Sequence, residues 1–457
     1  MKYSKILLLG AALAACCGAK AQDSKSGYFL DDYTYRYQLN PAFANSRGFV
    51  AMPAIGNFGL GLNGTLGIDD VLYNVDGRTT TFLNPKVSTK EALKNIGDMN
   101  RFGFDLKVGV LNFGFKGFGG YNTIGLNMRS SLGLKVPGSV FRMLKEGIAN
   151  KTYEIANFKG YANAWAELQL GHSRNITPEI RVGANVKFLV GAGNADFNLK
   201  KANMVLGENE WRIESEADIN LNVKGLRYET EISDNTGNPY VNGIDGDDMG
   251  VGGFGVAFDL GAVYKPSFLP DFEFSAALLD LGFIRWNSNI VASTNGVKYF
   301  TTADYTFNVD DDAFNNFDDE IDRMTDKLAT LYELNDNGDK GSQTRALGAT
   351  MNLGVLYTLP YYRGLKFGLL NTTHIQSIFS WTDFRLSANI LPCKVFDASA
   401  NLSMGTFGVG FGWIANFHAP GFNLFVGMDR TLGKLAKPGV PMNANAHVNL
   451  GINFLIK

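Results

Sequence analysis

The sequence predicts an all-β fold, a closed antiparallel transmembrane β-barrel of about 14 strands (range about 12–16), with an N-terminal plug segment and one or two short loop helices. Three observations predict it. Apolar and polar residues alternate over long runs, so side chains face two different surroundings. Gly is abundant at 53 residues and aromatics reach 12%, a mix that suits tightly turned β structure better than a helical enzyme. The chain also opens with an export leader and has no later segment of ~18 apolar residues that could span a membrane as a helix.

The leader comes first. Lys2 and Lys5 precede the apolar stretch Ile6–Ala15, and Ala19-Lys20-Ala21 sets small residues where a signal peptidase reads them. Cleavage is expected between Ala21 and Gln22, making residues 1–21 a signal peptide. Leu13-Ala14-Ala15-Cys16 offers a competing lipobox that would place a lipid on Cys16, an anchor a barrel does not need. After cleavage at Ala21 only Cys393 remains, so no intramolecular disulfide can form.

Residues 22–55 read as a folded-in extension or plug. Tyr28–Tyr35 is aromatic and acidic, and Leu39-Asn40-Pro41-Ala42-Phe43 follows, with Pro41 disfavouring helix at Asn40. The barrel is assigned to residues 56–457, with helices inserted near 137–150 and 310–334.

From about residue 100 the alternation is sustained. Phe104, Leu106, Val108 and Val110 share one phase, and Leu111, Phe113 and Phe115 the other, which predicts a bulge or tight turn between them. Further runs pass through Ile124, Ala162, Ile180, Trp211, Phe254, Phe272, Leu347, Leu365, Phe384, Phe396, Phe407, Phe422 and Val448. The clearest is Trp211–Lys224, where Ile213, Ala217, Ile219 and Leu221 alternate with Arg212, Glu214, Glu216 and Asp218. Such a strand rises about 43 Å at ~3.3 Å per residue, enough to cross a bilayer. Tyr161, Trp165, Trp211, Trp286 and Trp381 lie near strand ends and are expected in the interfacial girdles.

Two interruptions have helical spacing. Pro137–Asn150 carries Val140, Phe141, Leu144 and Ile148 behind a proline suited to a first turn. Asp310–Leu334 carries Phe314, Phe317, Ile321, Met324, Leu328 and Leu331, with Asp and Glu gathered toward its N-terminal part. Its stripe is expected to pack on the barrel rim or its own loop, a partner-binding face being the alternative. Ser233–Gly253 reads as a long polar loop.

No catalytic motif is present, and the chain is read as a non-enzyme without cofactor. His172, His374, His418 and His447 are far apart in sequence and carry no ligand spacing, so no metal site is assigned. Asn335–Gly341 fails as a calcium loop because Lys340 stands where Gly is required, and it reads as a turn. A net charge of −2 gives no electrostatic surface for nucleic acid.

Asn40-Pro41-Ala42-Phe43 resembles the Asn-Pro-Ala element in the plug of FadL-like outer-membrane barrels and their PorV-type relatives. Leu279-Asp280-Leu281-Gly282-Phe283-Ile284-Arg285-Trp286 resembles a strand motif of uncharacterised members of that group. The closing alternation through Phe454 resembles a barrel-assembly signal, although the chain ends on Lys457 instead of an aromatic residue. The resemblance implies a fourteen-stranded barrel in the cell outer membrane, with lipid and the barrel-assembly machinery as partners. It also implies passive transport or binding of small hydrophobic molecules. The alternatives are a structural or cargo-docking barrel of the PorV type and, against the strand lengths, a secreted soluble all-β protein.

Overall fold

A computed structural model describes residues 24–456 apart from 68–69, 148–149, 208–209, 235, 248–249, 305–316, 332, 378, 431–434, 437–439 and 442–445. Fourteen antiparallel strands close on themselves. In chain order they are β1 (Gly48–Ala51 and Phe58–Gly64, one interrupted strand), β2 (Met99–Gly117), β3 (Gly120–Pro137), β4 (Phe158–Asn175), β5 (Ile180–Leu206), β6 (Gly253–Tyr264) and β7 (Phe272–Trp286). The second half comprises β8 (Ala349–Thr358), β9 (Leu365–Ile375), β10 (Trp381–Cys393), β11 (Phe396–Gly405), β12 (Gly408–Phe417), β13 (Phe422–Asp429) and β14 (Ala446–Ile456). β14 pairs with β13 on one side and both runs of β1 on the other, which closes the ring and leaves no open edge.

Alternation sorts the side chains of each stave. On β10, Asp383, Arg385, Ser387 and Asn389 are buried toward the lumen, while Phe384, Leu386 and Ile390 are exposed on the outside. On β11, Asp397, Ser399, Asn401 and Ser403 point in, and Leu402 and Met404 point out. An apolar outer face over a polar interior is the arrangement of a barrel immersed in lipid. Tight turns join the strands at one end, and at the other the chain makes its long excursions over 65–98, 138–157, 207–252 and 287–348. The two ends of the barrel therefore differ, with short turns at one and long loops at the other.

The phase change in β2 is a bulge, with the β2–β3 register slipping between Gly109 and Leu111. Both expected helices are present, α2 (Gly138–Glu146) and α3 (Phe317–Thr330), and a further short helix, α1 (Thr89–Ala92), is capped by the Ser88 side chain. Phe314 lies outside the described residues, as do Ala21 and Gln22. In α3, Met324 and Leu328 pack with Leu331 against Ile213 and Phe300, so this part of the stripe is covered by its own loops.

Four expectations need correction. Trp211–Asn222 is not a wall stave. It pairs with the outer half of β5 and, on its other edge, with Ile290–Ser293 and Lys298–Thr301, building a sheet beyond the barrel. Its charges form cross-strand ion pairs in water, Lys200 with Asp218 at 2.8 Å and Lys201 with Glu214 at 2.6 Å. The fourteenth stave is β1, which begins at Gly48 inside the segment expected to be plug. Within 233–253, Pro239–Gly246 forms a hairpin with Leu226–Ile232. Asn335–Asp339, expected as a turn, is a strand paired with Ile290–Ser293.

The outward phase makes a direct prediction. Leu386, 60% exposed near the middle of β10, faces the lipid core. Leu386→Arg is expected to cost about 2–4 kcal/mol, against about 0–1 for Tyr361→Arg in a short turn. Denaturant titration of vesicle-embedded protein measures both.

Candidate functional site

The lumen is filled first by the chain's own N-terminal segment. Residues 24–45 fold into two 3-10 turns, Lys25–Gly27 and Arg36–Gln38, inside the ring. Their aromatic residues form the main buried cluster, in which Tyr28, Tyr33, Tyr35 and Tyr37 meet Phe49, Leu370, Ile414 and Phe425. Polar groups then tie the plug around the ring. Ser26 N donates to Asp429 at 3.1 Å, Tyr28 Oη meets Ser275 at 3.1 Å and Thr34 donates to Asn423 at 2.8 Å. Tyr35 donates to Asn453 at 2.7 Å, and Asn352 donates to the Leu39 carbonyl at 2.9 Å.

The Asn-Pro-Ala element forms the turn that seats the plug. Asn40 Oδ1 accepts from Ala42 N at 2.9 Å, while its Nδ2 donates to the Ala276 carbonyl of β7 at 3.2 Å. The turn presses on the wall so closely that a Cβ at Gly183 would collide with the Pro41 carbonyl, and one at Gly261 with Asn40 Oδ1. Phe43 closes the turn by stacking edge-on to Tyr28, with ring centroids 5.0 Å apart.

Above the plug, on the long-loop side, the wall itself is irregular. Asp280 has φ +59°, and opposite it the β6–β7 register slips between Phe258 and Leu260. The bulge turns Asp280 into the lumen, where its backbone N donates to Asp259 Oδ1 at 2.8 Å. β7 pairs with β8 up to Leu279 and resumes pairing only at Phe283, with Gln343–Ala346. Leu281 and Phe283 face outward, whereas Trp286 is buried inward. Gly282 is needed because a Cβ there would strike the Ala257 backbone and side chain.

Five charges meet at this bulge. Lys187 Nζ reaches Asp259 at 2.8 Å and Asp280 at 2.6 Å. Arg129 grips both Asp280 oxygens at 2.9 Å and reaches Glu167 at 3.4 Å. From Glu167 a polar chain runs through Asn127 (3.2 Å) and Asn112 (3.2 Å) to Tyr37 of the plug (3.4 Å). Plug position and bulge geometry are thus mechanically connected. A second buried set holds the plug's first turn. Arg385 bridges Asp383 at 3.2 Å and Asp429 at 2.7 Å, and Lys25 Nζ lies 3.8 Å from the Trp381 ring centroid. Burial pushes the Lys25 ammonium down to about 7, against the pull of Asp383 and Asp429.

Between these sets lies a cleft of about 970 Å3, counting the mouth that opens to solvent. Trp165, Trp286, Phe379, Trp381 and Tyr161 line it, with Arg129, Asp280, Arg345 and His374 among the polar groups. The tryptophans at 165, 286 and 381 were expected in the outer girdles, but they line the lumen. Trp165 and Trp381 keep the regular inward phases of β4 and β10, shared with Tyr161 and Glu167 and with Asp383 and Arg385, whereas the bulge at Asp280 reverses the phase of β7 and brings Trp286 inward. Trp211 packs in the extramembrane sheet instead. Of the candidate residues read from sequence, the structure brings Asp280 and Trp286 to the cleft and Asn40–Phe43 to the plug seat. Phe454 is half-exposed on the outer face of β14. Arg129, Glu167, Lys187 and Asp259 were missed; their only signal is a charge on the inward phase of an otherwise ordinary strand.

Two outcomes follow. Asp280→Ala removes one carboxylate from both Lys187 and Arg129, which keep Asp259 and Glu167, and is expected to destabilise by about 1–3 kcal/mol, read by equilibrium unfolding. Gly261→Val should unseat the plug while leaving the ring closed, measured as increased ion conductance in planar bilayers.

The model of the Family of unknown function (DUF5723) matches residues 41–429, and the chain belongs to that family. No curated protein matches it in sequence. Among solved structures it is similar to the Ralstonia pickettii toluene transporter TbuX, at 10% identity over 93% of this chain and 94% of that one, with TM-score 0.39. A Pseudomonas aeruginosa FadL homologue matches at 10% identity over 96% and 94%, with TM-score 0.39. The Pseudomonas putida toluene transporter TodX matches at 10% over 96% and 93%, with TM-score 0.35.

Proposed function

We propose that this barrel sits in the outer membrane and passively passes a small molecule with an apolar, ring-sized body and a polar head. One observation carries the reading: an aromatic wall faces an ionic floor in a cleft that opens on the long-loop side of a plugged lumen. Trp286 and Trp381 offer apolar surface, and Arg129 and Arg345 offer donors for a polar head. A purely hydrophobic cargo fits this lining less well than an amphipathic one, because it would strip water from charges without replacing it.

The plug prevents free leakage, so passage requires it to yield. The Arg129–Asp280 contact and the polar chain to Tyr37 provide the coupling. A ligand head that competes for Arg129 loosens the bulge and, through Glu167, Asn127 and Asn112, the hold on the plug. The alternative of a docking barrel would use the amphipathic loop helix and the polar loop 233–253 as docking elements. Packing of Met324, Leu328 and Leu331 against neighbouring loops removes that part of the stripe as a free face.

Tryptophan fluorescence tests the reading, since three of the five tryptophans line the cleft. Protein in detergent should respond saturably to small aromatic acids or alcohols. Trp286→Ala should weaken binding at least tenfold, and Arg129→Gln should weaken anionic probes more than neutral ones. Uptake of the same probes into proteoliposomes then separates passage from binding. A wild-type protein with no saturable response to any probe would argue against the reading.

A further inference from the structure

At the short-turn end, three side chains from distant parts of the chain converge. Asp32 comes from the plug, Asp397 from the first turn of β11, and His418 from the turn between β12 and β13. Their ligand atoms all lie within 4.8 Å of one another. His418 is 4% exposed, and its Nε2 has no hydrogen-bond partner. That nitrogen points at Asp32 Oδ2 at 4.0 Å and Asp397 Oδ1 at 3.9 Å. These separations are too long for hydrogen bonds but suit donors converging on a common centre.

We propose that these three residues bind a divalent transition cation, Zn2+ being the best match, which clips the plug to the short-turn rim of the barrel. Imidazole nitrogen and carboxylate oxygen are both ligands that this ion takes, with water able to fill a fourth position, and the imidazole disfavours Ca2+ and Mg2+. Tetrahedral bonds of about 2.1 Å place donors about 3.4 Å apart, so the imidazole needs to close on each carboxylate by only about half an ångström, and the two carboxylates on each other by at most about 1.4 Å.

The supporting contacts are those of a ligand set. Asn416 donates to Asp397 Oδ1 at 2.7 Å and orients that carboxylate. Ser46 donates to Asp32 Oδ1 at 2.8 Å, which leaves Oδ2 directed at His418. Of the nearby basic groups, Arg36 pairs with Asp31 at 2.8 Å and Lys366 also pairs with Asp31, while Arg47 lines the same small pocket as Asp32 and His418. Among the described residues, no Lys or Arg forms an ion pair with Asp32 or Asp397. Asp32 remains 27% exposed and gives the ion a route in from the short-turn end. The site does not depend on the identity of any transported molecule.

The experiment uses untagged mature protein in detergent, stripped with a chelator and dialysed. Calorimetric titration with Zn2+ should show one ion per chain at micromolar affinity, with Ca2+ and Mg2+ at least tenfold weaker. His418→Gln and Asp397→Asn should each weaken Zn2+ at least tenfold. The partly exposed Asp32→Asn, which disturbs packing least, should do the same. His172→Gln, on β4, should bind as wild type does. Zn2+ should raise the thermal midpoint of the wild type and leave that of His418→Gln unmoved, with unheated gel mobility confirming that every variant is a folded barrel. Folded wild type that fails to bind micromolar Zn2+ overturns the proposal, as does binding unchanged by His418→Gln.

Discussion

Everything in this molecule depends on matching a ring of inward polar groups to a plug that can satisfy them. A fourteen-stranded ring in lipid puts its apolar side chains outward, so its polar ones must point in. Here many of the inward groups are asparagines, among them Asn112, Asn127, Asn352, Asn401, Asn416, Asn423 and Asn453, all buried. An asparagine offers both donors and acceptors and needs partners on both. The plug meets that need with hydroxyl groups carried on large rings. Tyr35 and Tyr37 fill volume with their aromatic bodies and donate from their tips, so one residue type serves both packing and hydrogen bonding.

The same matching explains why the wall deforms only where it does. Where the plug presses closest, glycines at Gly183 and Gly261 make room and the strands stay regular. Above the plug no such filler exists, and the wall supplies its own. The Asp280 bulge carries a carboxylate inward, and Lys187 and Arg129 converge on it. Two cations face three carboxylates there, counting Glu167 and Asp259, so the cluster is not fully neutralised by its own members. A left-handed, non-glycine backbone at Asp280 is a strained conformation, held by the Asp259 contact and the two cations.

Alternation made the staves legible, because period two is written directly in the residues. It also revealed the β2 bulge as a change of phase. It failed at β1, where Gly59 and Gly61 stand at positions that would otherwise show polarity, leaving only Phe58, Leu60 and Leu62 in phase. It misled at Trp211–Asn222, since alternation reports two environments without saying whether the apolar one is lipid or another layer of protein. Here the apolar side meets Phe300, Leu331, Ile290 and Ala292. The lumen tryptophans were misplaced for two reasons: the Asp280 bulge reverses the phase at Trp286, while Trp165 and Trp381 lie on the inward phase of their strands, which an aromatic residue at a strand end does not reveal.

Clusters assembled from many strands leave little local trace. Arg129, Glu167, Lys187, Asp259 and Asp280 are single inward charges on five strands, and the pairing and curvature of the consecutive staves β3–β7 bring them together. The connection from that cluster to Tyr37 has a physical consequence for any passage through the lumen. Each link is a single hydrogen bond, long at 3.4 Å between Tyr37 and Asn112 and 3.2 Å for the other two, and even ordinary bonds contribute only about 0.5–1.5 kcal/mol net. A chain of this kind cannot hold the plug rigidly against a ligand that competes for Arg129. The plug's aromatic cluster, by contrast, is sealed by Phe49, Leu370, Ile414 and Phe425 and resists wholesale expulsion. Motion is therefore cheapest as a local shift of the polar seam between Tyr37 and the bulge, with the aromatic body of the plug remaining in place.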